Sequence, residues 1–213
     1  MPFVAGNENR VSFPSTLFSQ ATGVLSGTDL HGLVAVMLAS GSSGLSVTWN
    51  GAPCTLLVTA PTADGQVLRL YGIDDPTAGN VEATWTGGAD CWFAWQCFSG
   101  RNGVRASSAT ADSGFSGTAQ TRSVTSASGD DVADFFIAGA SSTIGAGQTP
   151  AWTASNRAGY WMHGSYEAAS GTTTDMSWTP GSAVWFHHVA VALQAAGGGG
   201  PPANTHRLTI PMG

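Results

Sequence analysis

The stretch TDMSWTPGSAVWFHHVAVALQ, residues 174–194, constrains the fold of this chain more than any other. Between Val184 and Gln194 the odd positions are Trp185, His187, Val189, Val191 and Leu193. The even positions are Val184, Phe186, His188, Ala190 and Ala192. Successive strand side chains point to opposite faces, so a strand that is apolar on both belongs inside a stack of sheets. A helix is disfavoured, because the run is β-branched and aromatic and the Trp178-Thr179-Pro180-Gly181-Ser182 ahead of it is turn chemistry. The segment reads as the closing hairpin of a β-sandwich, with His187 and His188 on opposite faces, one in the core and the other at a surface or cleft.

The rest of the chain reads the same way. Leu30 to Ala39 is a continuous apolar run of strand length. In LSVTWNGAPCTLLVTA two β-rich runs flank Asn50-Gly51, the strongest short hairpin signal. QVLRLYGI, residues 66–73, alternates as a half-exposed strand does. NVEATW and DCWFAWQCFS are expected to form a further hairpin across Thr86-Gly87-Gly88-Ala89, and DVADFFIAGA, AWTAS and AGYWMHGSYEAA add more strands. Residues 100–130, rich in Ser, Thr, Ala and Gly, predict a long surface excursion with short edge strands. The pattern of Thr or Ser, Trp and a tight turn occurs at Trp49, Trp85 and Trp178. The unequal spacings of these tryptophans are read as a reused hairpin solution that caps the sandwich, not as a solenoid or propeller repeat. The expected class is therefore all-β: an antiparallel, jelly-roll-like sandwich. Its expected parts are an N-terminal strap or edge strand (1–24), the sandwich domain (25–194) and a Gly/Pro-rich linker with a C-terminal docking segment (195–213).

Composition narrows the function. Only 9% of residues are charged, against roughly a quarter in ordinary globular domains. All seven basic residues are scattered arginines and the net charge is −6, so no basic stripe exists to release counterions from a nucleic acid. No apolar run reaches 18 residues and the N-terminus lacks a signal-peptide core, which predicts no membrane span. Cys54, Cys91 and Cys97 make an odd count. Cys91 and Cys97 share one predicted strand about 20 Å apart, too far for a bond; Cys54 could pair with one of them across strands, but three free buried thiols and maturation in a reducing cytoplasm are the expectation.

Catalytic signatures are missing. Glu8, Glu82 and Glu167 point to no cleft, Asp74-Asp75 and Asp130-Asp131 sit beside Pro or Gly in turns, and no histidine or cysteine spacing matches a metal site. No catalytic residue, metal ligand or cofactor is predicted. The most site-like cluster is Trp152, Asn156, Arg157, Tyr160, Trp161 and Tyr166, where aromatic faces with amide and guanidinium donors suit sugar rings. After Leu193, four glycines and two prolines form a joint. Beyond it Arg207, Leu208, Thr209, Ile210 and Pro211 alternate as one short strand, which must pair with another sheet edge.

The segments SVTWNGAP, LYGIDDPTAG, SGDDVADFFIAG and GSYEAASGTTTDMSWTPGSAVWFHHVAVALQ together resemble a β-sandwich domain of tailed-bacteriophage structural proteins and some bacterial surface proteins. The resemblance spans residues 25–194. It implies a virion role and supplies no catalytic residue. The expectation is a non-enzymatic virion protein, a capsid decoration or tail appendage, homo-oligomeric and assembled in the host cytoplasm. It would be anchored to neighbouring virion subunits by Arg207 to Pro211. The alternative is an adhesin that binds host surface glycans through the aromatic cluster.

Overall fold

The computed structural model describes residues 3–11, 16–87, 91–116, 118–152, 155–157 and 159–197, with the backbone alone at 8–11, 113–116 and 155–157. The docking segment Arg207 to Pro211 lies outside the described residues, which are strands and connections without a helix. The first half of the chain builds two sheets. In the larger, β1 (Phe3–Val11), β3 (His31–Ala39), β6 (Thr55–Thr59), β7 (Gln66–Asp74) and β9 (Cys91–Phe98) run in the order β1-β9-β3-β7-β6. In the smaller, β2 (Leu17–Ala21), β4 (Ser43–Trp49), β5 (Ala52–Pro53) and β8 (Asn80–Thr86) run in the order β2-β8-β4-β5.

The second half does the same. Strands β10 (Arg101–Ser116), β12 (Asp131–Ala138), β14 (Thr149–Pro150), β15 (Ser155–Arg157), β16 (Tyr160–Ala168) and β18 (Val184–Ala195) form its larger sheet. The order is β10-β18-β12-β16-β14, with β15 also on β16. Strands β11 (Gln120–Thr125), β13 (Ser142–Ile144) and β17 (Thr173–Pro180) form the smaller, in the order β11-β17-β13. Every ladder is antiparallel.

The four sheets stack as layers. The two large sheets meet face to face, with Leu33, Met37, Leu70 and Trp92 of the first against Phe135, Ile137, Met162 and Val191 of the second. Behind the first, Val34, Val36, Phe93 and Trp95 pack on Val47, Trp49, Val81 and Trp85 of its small sheet. Behind the second, Ala190 and Ala192 pack on Val124 and Met176, and Phe136 and Phe186 pack on Trp178. The molecule is an all-β, antiparallel sandwich with a further layer on each outer side. Each central sheet has two buried faces, which is why β9 and β12 are buried at every position. The outermost strands β8 and β17 instead alternate buried and exposed residues, as a sheet with one wet face does.

Superposing the two orders pairs β3 with β12, β7 with β16, β8 with β17 and β9 with β18. The ladders agree residue by residue. Gly32 pairs with Cys97 and Ile73 in the first half, and Asp134 pairs with Ala190 and Ser165 in the second. Taken from Gly32 and Asp134, the same registers make Trp95 correspond to His188 and Gly72 to Gly164, while Trp85 and Trp178 stand on the corresponding strands β8 and β17. Trp85 and Trp178, read from sequence as parts of a reused hairpin solution, stand on corresponding strands of two halves with like sheet order. Trp49 is a separate case on β4, buried against Trp95 at 5.5 Å.

Four local expectations change. The 174–194 segment is not a hairpin: β17 and β18 belong to different sheets, and the turn between them carries the chain from the outermost layer to the next. The connection from β8 to β9 does likewise. An apolar strand facing another apolar strand buries more by stacking across layers than by pairing edge to edge. Strand β7 is not half exposed but sits between β3 and β6 with Val67, Leu68, Leu70 and Tyr71 buried. Residues 100–130 do form edge strands, β10 and β11, but β10 runs to sixteen residues where short ones were expected. Asn50-Gly51 does turn a tight hairpin from β4 to β5, with φ of 47° and 79°, the positive pair that a type I′ turn requires.

Candidate functional site

Residues 160–168 alternate across β16, so the aromatic cluster divides between its faces. Tyr160 packs on Trp92 and Trp185 at ring distances of 4.1 and 4.7 Å. Tyr166 stacks on Phe3 at 5.1 Å, and the half-buried Trp152 lies 5.8 Å from Phe135. These three rings belong to the core between the large sheets. Trp161 points the other way and stacks on His163 at 6.5 Å. Ser155 to Arg157 pair in register with Tyr160 to Met162, while the Asn156 and Arg157 side chains lie outside the described ones.

Among the described residues, several histidines and aspartates without a chemical role assigned from sequence fall into three clusters. The first is fully buried behind the second large sheet. There Asp134 Oδ1 accepts hydrogen bonds from Ser165 N (3.0 Å) and Oγ (2.6 Å), and Oδ2 contacts Trp178 Nε1 at 2.8 Å and His188 Nε2 at 2.9 Å. Gln148 Nε2 donates to Ser165 Oγ at 2.7 Å. His163 lies beside this group, and burial pushes its pKa down to about 4 against a smaller upward pull from Asp134. His187, on the opposite face from His188 as its position dictates, is equally buried and reaches the Ala63 carbonyl at 3.2 Å. Its pKa falls to about 4 for the same reason. Neither member of the pair is at a surface. This cluster cross-braces strands and offers no route for a substrate.

The second cluster ties the start of β10 to the start of β12. Arg101 Nε donates to Asp131 at 2.7 Å, and Arg105 grips Asp130. Burial opposes the charge on Asp130, but Arg105 and the amide of Ala127 outweigh it and hold the carboxyl below its usual range. Burial dominates at Asp131, which is held above that range despite Arg101.

The third cluster borders a cavity of about 360 Å³ lined by His31, Pro53, Thr55, Leu57, Gly72, Ile73, Asp74, Gly103 and Val104. His31 begins β3 and Asp74 ends β7, opposite each other in the ladder. His31 Nδ1 lies 2.7 Å from Asp74 Oδ1, and the carboxylate accepts the ring proton there. His31 is only 3% exposed and its Nε2 has no partner. Burial keeps the imidazole below its ordinary pKa, with Asp74 pulling the other way, so the neutral ring presents an unshared pair at Nε2. Adjacent histidine and aspartate were invisible as a pair in sequence, where 43 residues separate them.

Among the described residues no group of three or more histidine, cysteine or acidic side chains converges to hold a metal. Cys54, Cys91 and Cys97 are free thiols, with burial raising the pKa of Cys54 to about 11 and that of Cys97 to about 12. No family model, curated protein or solved structure matches the chain. The fold class is therefore carried by the architecture alone: an all-β antiparallel sandwich built from two like halves.

Proposed function

We propose that the protein is a non-enzymatic structural component of a phage virion, a capsid decoration or tail appendage anchored to a neighbouring subunit by its C-terminal segment. The observation that supports this best is the layering. With both faces of each large sheet covered by the chain itself, the sandwich offers partners its strand edges and its ends, the surfaces through which strand addition works. Asp134 and its partners tie three strands of the second half together. The Gly/Pro joint gives the alternating segment Arg207 to Pro211 the reach to pair with a foreign edge. The phage attribution rests on the sequence resemblance.

Deleting residues 197–213 is expected to leave a folded sandwich and abolish its incorporation into particles. Copy number by mass spectrometry of purified particles checks this. Hundreds of copies for the intact chain mean decoration and a handful mean a tail position, whereas unchanged occupancy after deletion overturns the anchor.

A further inference from the structure

The buried cluster on Asp134 holds the parts of an acyl transfer that needs no outside substrate. Ser165 on β16 stands opposite Asp134 on β12 and opposite Pro150 on β14. Its hydroxyl lies between the carboxylate and the side chain of Gln148, two residues before Pro150. Ser165 Oγ donates to Asp134 Oδ1 at 2.6 Å, and Gln148 Nε2 donates to Ser165 Oγ at 2.7 Å. The other end of the amide is held as well, for Gln148 Oε1 accepts the backbone N–H of Ser177 at 2.6 Å. A backbone N–H can only meet an oxygen there, so the orientation of the amide is fixed. The close approach depends on Gly145, where an added Cβ would come within 2.6 Å of Gln148 Oε1 and 2.0 Å of Ser177 Oγ.

A nucleophile within hydrogen-bond reach of its base, and a base oriented by further groups, is the arrangement of an activated hydroxyl. Trp178 Nε1 and His188 Nε2 orient Asp134 by gripping Oδ2 at 2.8 and 2.9 Å. The Ser177 N–H lies where negative charge gathers on an attacked amide oxygen. With a trigonal nitrogen and an amide C–N bond of ~1.33 Å, Oγ stands about 3.6 Å from the Gln148 carbonyl carbon, close to near-attack range. The last torsion of glutamine is soft, so a turn of the amide presents its face to the hydroxyl. Asp134, Ser165 and His188 are wholly buried, which keeps water from competing. The corresponding positions of the first half, Gly32, Ile73 and Trp95, offer neither base nor nucleophile, so the sandwich itself does not require these groups.

We propose that Ser165 and Gln148 join in an intramolecular ester, formed once by the folded chain. The Oγ lone pair forms a bond to Cδ of Gln148, and the hydroxyl proton passes to Asp134 Oδ1. Charge develops on Oε1 against Ser177 N–H. As the carbonyl reforms, the Cδ–Nε2 bond breaks, and Asp134 returns the proton to the nitrogen, which departs as ammonia. A hydroxyl and a carboxamide become an ester and ammonia, with no water or oxidant consumed. Gln148, at 9% exposure, is the least buried of the three reacting side chains and gives ammonia its exit. The hydrogen-bonded state is the precursor, and the ester follows folding as a slow single turnover. The bond fastens the edge strand β14, which pairs with β16 through only two residues, to that strand. This inference does not depend on the virion reading and stands or falls separately.

Intact-mass measurement of the full-length protein, followed by tryptic mapping, tests it. Trypsin cleaves after Arg122, Arg157 and Arg207, so the ester joins peptides 123–157 and 158–207. After about a week at 37 °C the mass is expected to be lower by about 17 Da, the ammonia expelled by the attacking nucleophile. The map is expected to show a fused peptide that dilute alkali separates. Ser165→Ala and Gln148→Ala are each expected to keep their full sequence mass and give separate peptides. Asp134→Asn keeps the shape of the base but cannot take the proton, and is expected to slow ester formation about a hundredfold. If that variant does not fold, Ser165→Ala and Gln148→Ala carry the test. An undiminished mass in the natural chain overturns the proposal. So does a deficit that maps to a succinimide at Asn50-Gly51, a fused peptide that survives Ser165→Ala, or an unchanged rate in folded Asp134→Asn.

Discussion

Asp134→Ala is expected to lower the unfolding free energy by about 3–5 kcal/mol, the cost of breaking a buried charged network by removing one partner. The carboxylate is fully buried and takes four contacts, from Ser165 N and Oγ, Trp178 Nε1 and His188 Nε2. Without it, donors on β16, β17 and β18 lose their shared acceptor at once. Ser165→Ala removes one hydroxyl from the same network and is expected to cost only about 1 kcal/mol. The first half shows that the fold does not demand this cluster. Its equivalents are Gly32, Trp95, Trp85 and Ile73, and the ring of Trp49 lies against Gly32 where the aspartate would reach. Urea denaturation at neutral pH measures both variants. A loss below about 1 kcal/mol for Asp134→Ala would mean that water or repacking satisfies the donors, and the cross-bracing role would fail.

Acid is expected to unfold the protein well above the range in which surface carboxylates titrate. His163 and His187 are buried at 4% and 0% exposure, and each has its pKa lowered to about 4, while an unfolded histidine titrates near 6.5. Between these values the unfolded chain binds protons that the folded one refuses. Stability is therefore complete above about pH 6.5 and is lost as pH falls from there through about 4, by about 3 kcal/mol for each imidazole. His31, lowered for the same reason, acts in the same direction. The buried Asp131 and the half-buried Glu167, raised above their usual range chiefly by desolvation, act in the opposite direction. Urea midpoints from pH 7.5 to 4 check the prediction, and in His187→Gln the slope is expected to fall by one proton. A midpoint flat across that interval would show that the histidines are protonated in place.

The elements differed in how much they disclosed. The strand from Val184 and the run from Leu30 announced burial on both faces because nearly every position in them, the histidines and Gln194 aside, is apolar or aromatic, and both lie in central sheets. The Asn50-Gly51 hairpin was readable because positive φ at two successive residues is a local demand. The partners of β8 and β17 were not readable. A tight turn with glycine serves a hairpin and a layer crossing alike, and only the apolar area awaiting each strand decides between them. The same limit applied to the candidate cluster on β16. Spacing placed Tyr160, Trp161 and Tyr166 on one strand, but which face met the other large sheet was settled by packing against Trp92, Phe3 and Trp185.

Sequence alone determined the class: alternating and continuous apolar runs, turn residues between them and few charges leave little choice but stacked antiparallel sheets. Tertiary structure decided the rest. It brought Asp74 to His31 and Asp134 to His188, placed Trp85 and Trp178 on corresponding strands of two like halves, and left a cavity beside His31. The reason is physical. Strand formation answers to period-two patterning within a few residues, whereas pairing, layering and the fate of a buried polar group depend on contacts between residues tens of positions apart, to which local pattern is blind.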